Sequence, residues 1–304
     1  MCKNSEIERN DEQPLLERLE AYGRTDVYLF HMPGHKRRVR PAPGLDCYAW
    51  DLTEIDGADD LHDADGILAD AMARTAALYG ARRCWYLVGG STVGLLAGIR
   101  ALAPFGSTVI AARNCHKAVY HAIELGHLTV HYLTPPADPQ FGVYGSVRPA
   151  DVAAALDAEP GAKCVILTSP TYEGVLSDVR SIAEICHARG VTLLVDEAHG
   201  AHYLPFAAQY GWQGGAVAAG ADLVVQSAHK TLPSLTQTAF LQLNGDLAGP
   251  AEVERQLDVF ETSSPSYPLM ASLDGCTRWL AEEGSAAFAA WRARLDRFDA
   301  AVKD

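Results

Sequence analysis

Short apolar runs alternate along this chain with stretches in which apolar positions recur every three or four residues. The first pattern suits buried strands and the second amphipathic helices. Residues 13–22 place Leu15, Leu16 and Leu19 on one helical face behind Pro14, a residue suited to a first turn, and predict a short amphipathic arm. From Gly66 onward the punctuation is regular. Residues 67–79 predict a helix closed by Gly80, 85–88 a strand, and 92–103 a helix stopped by Pro104. Strand-like runs recur at 108–112, 128–133, 163–169, 191–196 and 221–226, separated by helical runs near 117–125, 150–158 and 178–189. This alternation predicts an α/β fold whose mainly parallel sheet is covered by helices on both faces. The run 238–243 follows the strand at 221–226 too soon for a crossover helix, so it is expected to pair antiparallel at an edge or to neighbour that strand another way. Residues 134–149, rich in Pro and Gly, read as a surface loop, and 286–302 as a helix.

With 304 residues, 48% of them hydrophobic, the chain is long enough to bury a substantial core. A formal charge of -13 argues against a nucleic-acid binder, which would show a basic face. Seven cysteines without a Cys-x-x-Cys pair suggest reduced thiols in a cytoplasmic protein and imply no zinc site. The polar first dozen residues lack the apolar centre of a signal peptide, and no apolar run has membrane-spanning length, so no membrane partner is expected. His31 and His35 are four apart, but Pro33 and Gly34 break any helix between them, so the segment reads as an ordered loop without a metal. The acid-rich stretch from Asp51 to Asp65 fails the EF-hand spacing and reads as a solvated loop.

Candidate chemistry gathers where apolar runs end. The run Ala221 to Gln226 leads to Ser227, Ala228, His229 and Lys230; a lysine delivered there could be held desolvated, deprotonated and nucleophilic, which makes Lys230 a candidate Schiff-base lysine rather than a solvated loop charge. The strand from Thr192 ends in Asp196, whose burial would raise its pKa unless a positive partner such as a protonated pyridine nitrogen keeps it ionised; capping the next turn is the alternative. Gly89, Gly90, Ser91 and Thr92 lead from a strand into a helix, where free N–H groups and hydroxyls could bind an anion or form an ordinary cap. An amine for an aldehyde, a carboxylate for a ring nitrogen and a hydroxyl-bearing turn for a phosphate are the groups that pyridoxal phosphate needs. His116, just past the strand at 108–112, could stack on a pyridine face or sit at a helix start with no special role. His199 could lie near such a ring or bond to backbone, and His229 could contact phosphate or substrate or merely orient its loop.

Eight segments in order carry a familial likeness: His31 to Lys36 (His-Met-Pro-Gly-His-Lys); Asp51 to Ile55 (Asp-Leu-Thr-Glu-Ile) with Asp59 to His62; Gly90 to Thr92; Asn114 to Lys117 (Asn-Cys-His-Lys); Ser169 to Tyr172 (Ser-Pro-Thr-Tyr); Val195 to His199 (Val-Asp-Glu-Ala-His); Ser227 to Lys230 (Ser-Ala-His-Lys); and Thr262 to Tyr267 (Thr-Ser-Ser-Pro-Ser-Tyr). From about residue 28 to 280 the chain closely resembles the prokaryotic Orn/Lys/Arg decarboxylase family. The resemblance implies a fold-type-I, pyridoxal-phosphate-dependent transferase-like large domain, with a mainly parallel seven-stranded sheet sandwiched by helices. It implies an arm and loop segment over residues 1–60, the cofactor-binding domain over 61–265, and a helical segment over 266–304 leading to a C-terminal domain that this chain lacks.

Its implied activity is decarboxylation of a basic amino acid, lysine, arginine or ornithine; an aminotransferase or lyase on the same fold, or a silent cofactor-binding chain, are the other readings. It implies that Lys230 binds the cofactor aldehyde, Asp196 pairs with the ring nitrogen and His116 stacks on the ring. Gly90, Ser91, Thr92, Ser227 and His229 would serve the phosphate end, Ala198 and His199 the cofactor face, and Ser263 or Ser264 the phosphate of a neighbouring subunit in a homodimer. Some members have tryptophan where this chain has His199, which leaves the role of that residue open. Reprotonation of the substrate carbon would fall to Lys230 or His229.

Overall fold

The computed structural model describes residues 13–38, 46–213 and 215–303. Seven strands form one sheet: β1 (Arg83–Leu87), β2 (Thr108–Ala112), β3 (Thr129–Leu133), β4 (Cys164–Thr168), β5 (Thr192–Asp196), β6 (Leu223–Gln226) and β7 (Ala239–Leu243). Their spatial order is β1-β7-β6-β5-β4-β2-β3. The pairs β2–β3, β2–β4, β4–β5 and β5–β6 are parallel, whereas β7 runs antiparallel to both β6 and β1. The expected antiparallel pairing of 238–243 is present, but its edge position is not: β1 closes that side of the sheet, and β7 is buried along its whole length between two neighbours. A strand reached by a tight return could pair with β6 on one side only, and nothing local in the sequence reveals that β1 comes back to occupy the other.

Thirteen-residue α2 (Ile67–Tyr79) ends at Gly80, whose φ of 70° is the left-handed conformation favoured by glycine. After β1 come α3 (Gly90–Leu102), α4 (Lys117–Leu125), α5 (Pro149–Ala158) and α6 (Val179–His187), each following a strand or preceding one, as the alternation predicts. In α6 the buried residues Val179, Ile182, Ala183 and Cys186 follow helical spacing, and Asp178 caps the helix by accepting from Ser181 N–H. Ends of the predicted elements differ from the observed ones by at most two residues. Two single-turn helices, α7 (Ala216–Ala219) and α8 (Ala228–Thr231), and the longer α9 (Pro250–Phe260) are additional to the prediction; α10 (Tyr267–Glu282) falls within the helical segment implied over 266–304, and the helix read at 286–302 is α11 (Gly284–Ala301). In α10, Pro268 in the first turn and Gly275 inside the helix imitate loop punctuation; the helix forms because Tyr267, Met270, Leu273 and Leu280 bury one face.

The sheet separates two apolar layers, and strand periodicity assigns residues to them. Along β4 and β5, Cys164, Ile166 and Leu194 face the layer that contains α2, α3, α9 and α10, whereas Val165, Leu167, Leu193 and Val195 face the layer of α5, α6 and α7. The first core also takes Leu15 and Leu19 from the arm helix α1 (Leu15–Gly23). That arm is tied down by the buried carboxylate of Asp274, which accepts from Leu15 N–H at 3.0 Å and from the guanidinium groups of Arg74 and Arg278. The acid-rich loop has a structural use. Asp59 accepts from the N–H groups of Gly66, Leu68 and Ala69 and so caps the start of α2. His31 and His35 take separate partners, the Tyr22 hydroxyl and Asp51. Cys47, Cys84, Cys115, Cys164, Cys186 and Cys276 are free thiols. No helix among the described residues is long and apolar enough to cross a membrane.

Candidate active site

A cavity of about 320 Å³ opens where several parallel strands end, lined by Gly90, Ser91, Thr92, Leu95, Asn114, Cys115, His116, Thr168, Tyr172, Asp196, Ala198, His199, Ser227, His229 and Lys230. Carboxyl ends of strands are where open α/β sheets hold ligands, because loops diverge there and helix N-termini point inward. The alternation of β5 that puts Leu194 toward α3 also puts Asp196 toward that layer, in register with Thr168 on β4. By the same alternation Glu197 falls on the opposite face, where it accepts from Ala216 N–H and the Gln226 amide. Two adjacent buried acids are therefore separated by the sheet, and the cavity receives one of them.

Asp196 is only 3% exposed, and burial pushes its carboxyl up to about 6 despite the opposing N–H of Ala198 and charge of Lys230. Partial burial pushes the Lys230 amine below the ordinary lysine range, with Asp196 opposing. Lys230 Nζ lies 3.0 Å from His199 Nε2, and the edge of the Tyr172 ring meets the His199 ring, with centroids 5.3 Å apart. His199 is held below the usual histidine range by burial and by the Lys230 charge, as is His116. A nitrogen with a depressed proton affinity accepts a hydrogen bond without taking the proton, so His199 can aim the lysine amine while leaving it free to react.

The other end of the cavity is polar and short of negative charge. Gly90 has a φ of 76°, a left-handed turn that feeds the chain into α3. The first-turn amides of α3 have no acceptor within the helix, and Ser91 and Ser227 share a hydrogen bond of 2.6 Å between their hydroxyls beside them. His229 Nδ1 donates to the Thr238 carbonyl at 2.8 Å, so its Nε2 is the position left open. His116 Nδ1 accepts from Ala118 N–H at 3.2 Å and caps α4, which fixes the ring over its strand end. Among the cavity side chains, Asn114 Oδ1 and Thr168 Oγ1 are buried without a hydrogen-bond partner. Orphaned polar atoms in a cavity are unstable unless a ligand or water satisfies them.

A sequence model described as "Orn/Lys/Arg decarboxylase, major domain" matches residues 13–291. The chain belongs to the Orn/Lys/Arg decarboxylase family. An arginine decarboxylase of Halalkalibacterium halodurans is 33% identical over 289 residues, 91% of this chain and 57% of that protein. The uncharacterized protein YaaO of Bacillus subtilis is 40% identical over 275 residues, 86% of this chain and 55% of its own length. This Orn/Lys/Arg decarboxylase-family chain thus spans little more than half of these relatives. Lysine decarboxylase A from Pseudomonas aeruginosa superposes with a TM-score of 0.79 at 24% identity, over 93% of this chain and 42% of that one, and shares the fold.

Of the residues singled out in the sequence, Gly90, Ser91, Thr92, His116, Asp196, Ala198, His199, Ser227, His229 and Lys230 meet in the one cavity. Ser263 and Ser264 do not; they lie exposed on the segment after α9 and are not among the residues that line the cavity. Leu95 and Thr168 line the cavity without having been foreseen, and Asn114, Cys115 and Tyr172 line it too, marked in the sequence only as members of the family-like segments. Thr168 was detectable in principle, since it ends an apolar strand as Asp196 does. The side chains fit the cofactor of the family resemblance: an amine of lowered proton affinity and a buried acid share a cavity with an anion-ready helix start, and two buried polar atoms there lack a protein partner.

Proposed function

We propose that the chain is the cofactor-binding part of a pyridoxal-phosphate-dependent decarboxylase of basic amino acids. The observation that carries this reading is the convergence of Lys230, Asp196 and the start of α3 on one cavity. When bound, pyridoxal phosphate supplies the electron sink that accepts the bonding electrons as carbon dioxide leaves. The protein's own groups bind and orient. Lys230 offers an amine whose partial burial favours the neutral, nucleophilic form toward an aldehyde. Asp196 would hold a proton at the ring nitrogen, where a cation would draw its raised carboxyl back into the ionised form. His116 would pack on the ring, Ala198 and His199 would line its face, and Gly90, Ser91, Thr92, Ser227 and His229 would hold the phosphate. Lys230 or His229 would be the proton donor to the substrate carbon.

A basic substrate agrees with the names of the relatives, an arginine decarboxylase and a lysine decarboxylase, and the carboxylate of exposed Glu173 near His199 offers such a substrate a negative charge. A homodimer in the cytoplasm, with Ser263 or Ser264 completing the partner's phosphate site, suits the exposure of both serines and of Tyr28, Phe30 and Met32, and the free thiols. Added pyridoxal phosphate is expected to give the visible absorbance band of a lysine-bound aldehyde, and Lys230→Ala to lack it. Incubation with lysine, arginine or ornithine should release carbon dioxide; a keto acid instead would assign a transaminase, and binding without turnover a silent chain.

A further inference from the structure

We infer that Glu261, the residue just after α9, is a positioning residue for the anion-binding turn at the start of α3; the inference rests on the cofactor reading above. Glu261 is 9% exposed and 172 residues from the turn it touches. Its Oε2 accepts from both Val88 N–H and Gly89 N–H at 3.1 Å, and its Oε1 accepts from Thr262 N–H at 3.0 Å. Two consecutive amides aimed at one oxygen fix the peptide planes that lead into the helix. Gly89 leaves the room this requires: a Cβ there would lie 2.9 Å from Glu261 Oε1 and 2.4 Å from Val93 Cγ2.

The amides of the turn are thereby sorted. Those of Val88 and Gly89 belong to the carboxylate, and the chain then swings through the left-handed Gly90, so the next donors, at the start of α3, face the cavity lined by Ser91 and Thr92. A carboxylate would ordinarily repel an anion at a helix start. Here three N–H dipoles offset its charge, and it stands outside the cavity, bordering a separate groove with Trp85, Tyr86 and Leu257. Glu261 therefore acts through the turn rather than on the ligand. Its bond to Thr262 N–H also sets the first residue of the segment that carries Ser263 and Ser264.

The test compares two aldehydes that differ only at the phosphate. Wild-type protein, Glu261→Gln and Glu261→Ala are titrated with pyridoxal phosphate and with pyridoxal, following the visible band of the lysine-bound aldehyde, with near-ultraviolet circular dichroism to monitor folding. Gln keeps the shape and one accepting oxygen; it is expected to weaken pyridoxal phosphate on the order of tenfold, and Ala further, while pyridoxal binding stays as in the wild type. Should Ala fail to fold, the near-isosteric Gln carries the comparison. Equal weakening of both aldehydes would reduce Glu261 to a general structural role and overturn the inference, as would unchanged affinity for pyridoxal phosphate in the variants. A wild-type protein that takes up neither aldehyde overturns the cofactor reading itself, and this inference with it.

Discussion

Asp196 and Glu197 are neighbours in sequence with different tasks, and their titration separates them. Burial raises the Asp196 carboxyl from 3.8 to about 6 and that of Glu197 from 4.5 to about 8. With raised values in the folded state, the native protein keeps protons that the unfolded chain has already released. Stability from these groups therefore falls as pH rises, from about pH 4 to 6 for Asp196 and from about pH 4.5 to 8 for Glu197. In cofactor-free protein, Asp196→Asn is expected to remove the lower part of this decline, worth about 2–3 kcal/mol, and Glu197→Gln the upper part. Urea midpoints measured from pH 4 to 8 for each variant against wild type check both; a difference that does not grow with pH would show that burial leaves these acids unperturbed. Lys230 belongs to the same scale. On the proposed function, Lys230→Ala is expected to abolish the visible band and any carbon dioxide release that the wild type shows, while leaving the thermal midpoint close to that of the wild type, because Lys230 is an exposed residue.

At the scale of elements, helix ends do most of the organising. Asp59 serves several amides at the start of α2, so Asp59→Ala is expected to cost about 1–2 kcal/mol of stability, read as a lowered thermal midpoint, without changing the absorbance band. Asp274 joins three elements through Leu15, Arg74 and Arg278. Its replacement by alanine leaves a buried amide and two guanidinium groups without their carboxylate, and is expected to cost about 3–5 kcal/mol and to release the arm first. Proteolysis of the arm at concentrations that spare the wild type would register that release. In the sequence Asp59 belongs to an acid-rich stretch that reads as a solvated loop, and nothing singles out Asp274, since a cap or a tether is defined by the amide it meets.

For the whole molecule, the sheet brings residues from five strand ends into one cavity and leaves Ser263 and Ser264 outside it. If these serines serve a neighbouring subunit, equilibrium sedimentation gives twice the 32.7 kDa chain mass, and Ser263→Ala with Ser264→Ala weakens pyridoxal phosphate in the dimer. Complementation provides the sharper form. Mixed dimers of Lys230→Ala and the double serine variant should contain one site with both defects and one with neither, and recover part of the activity.

Much of this protein was determined locally. Apolar runs such as Thr192–Asp196 and Leu223–Gln226 are strands because their continuous hydrophobicity suits a sheet buried on both faces, and the residues that end them are the ones the cavity uses. Period-two alternation along one strand even decides that Asp196 and Glu197 part company. What the chain alone left open were relations between distant segments: that β1 returns to cover β7, that Thr168 stands in register with Asp196, and that Glu261 reaches back to Val88 and Gly89. These depend on long-range pairing and on which backbone amide a carboxylate meets, and no periodicity within a single segment encodes either.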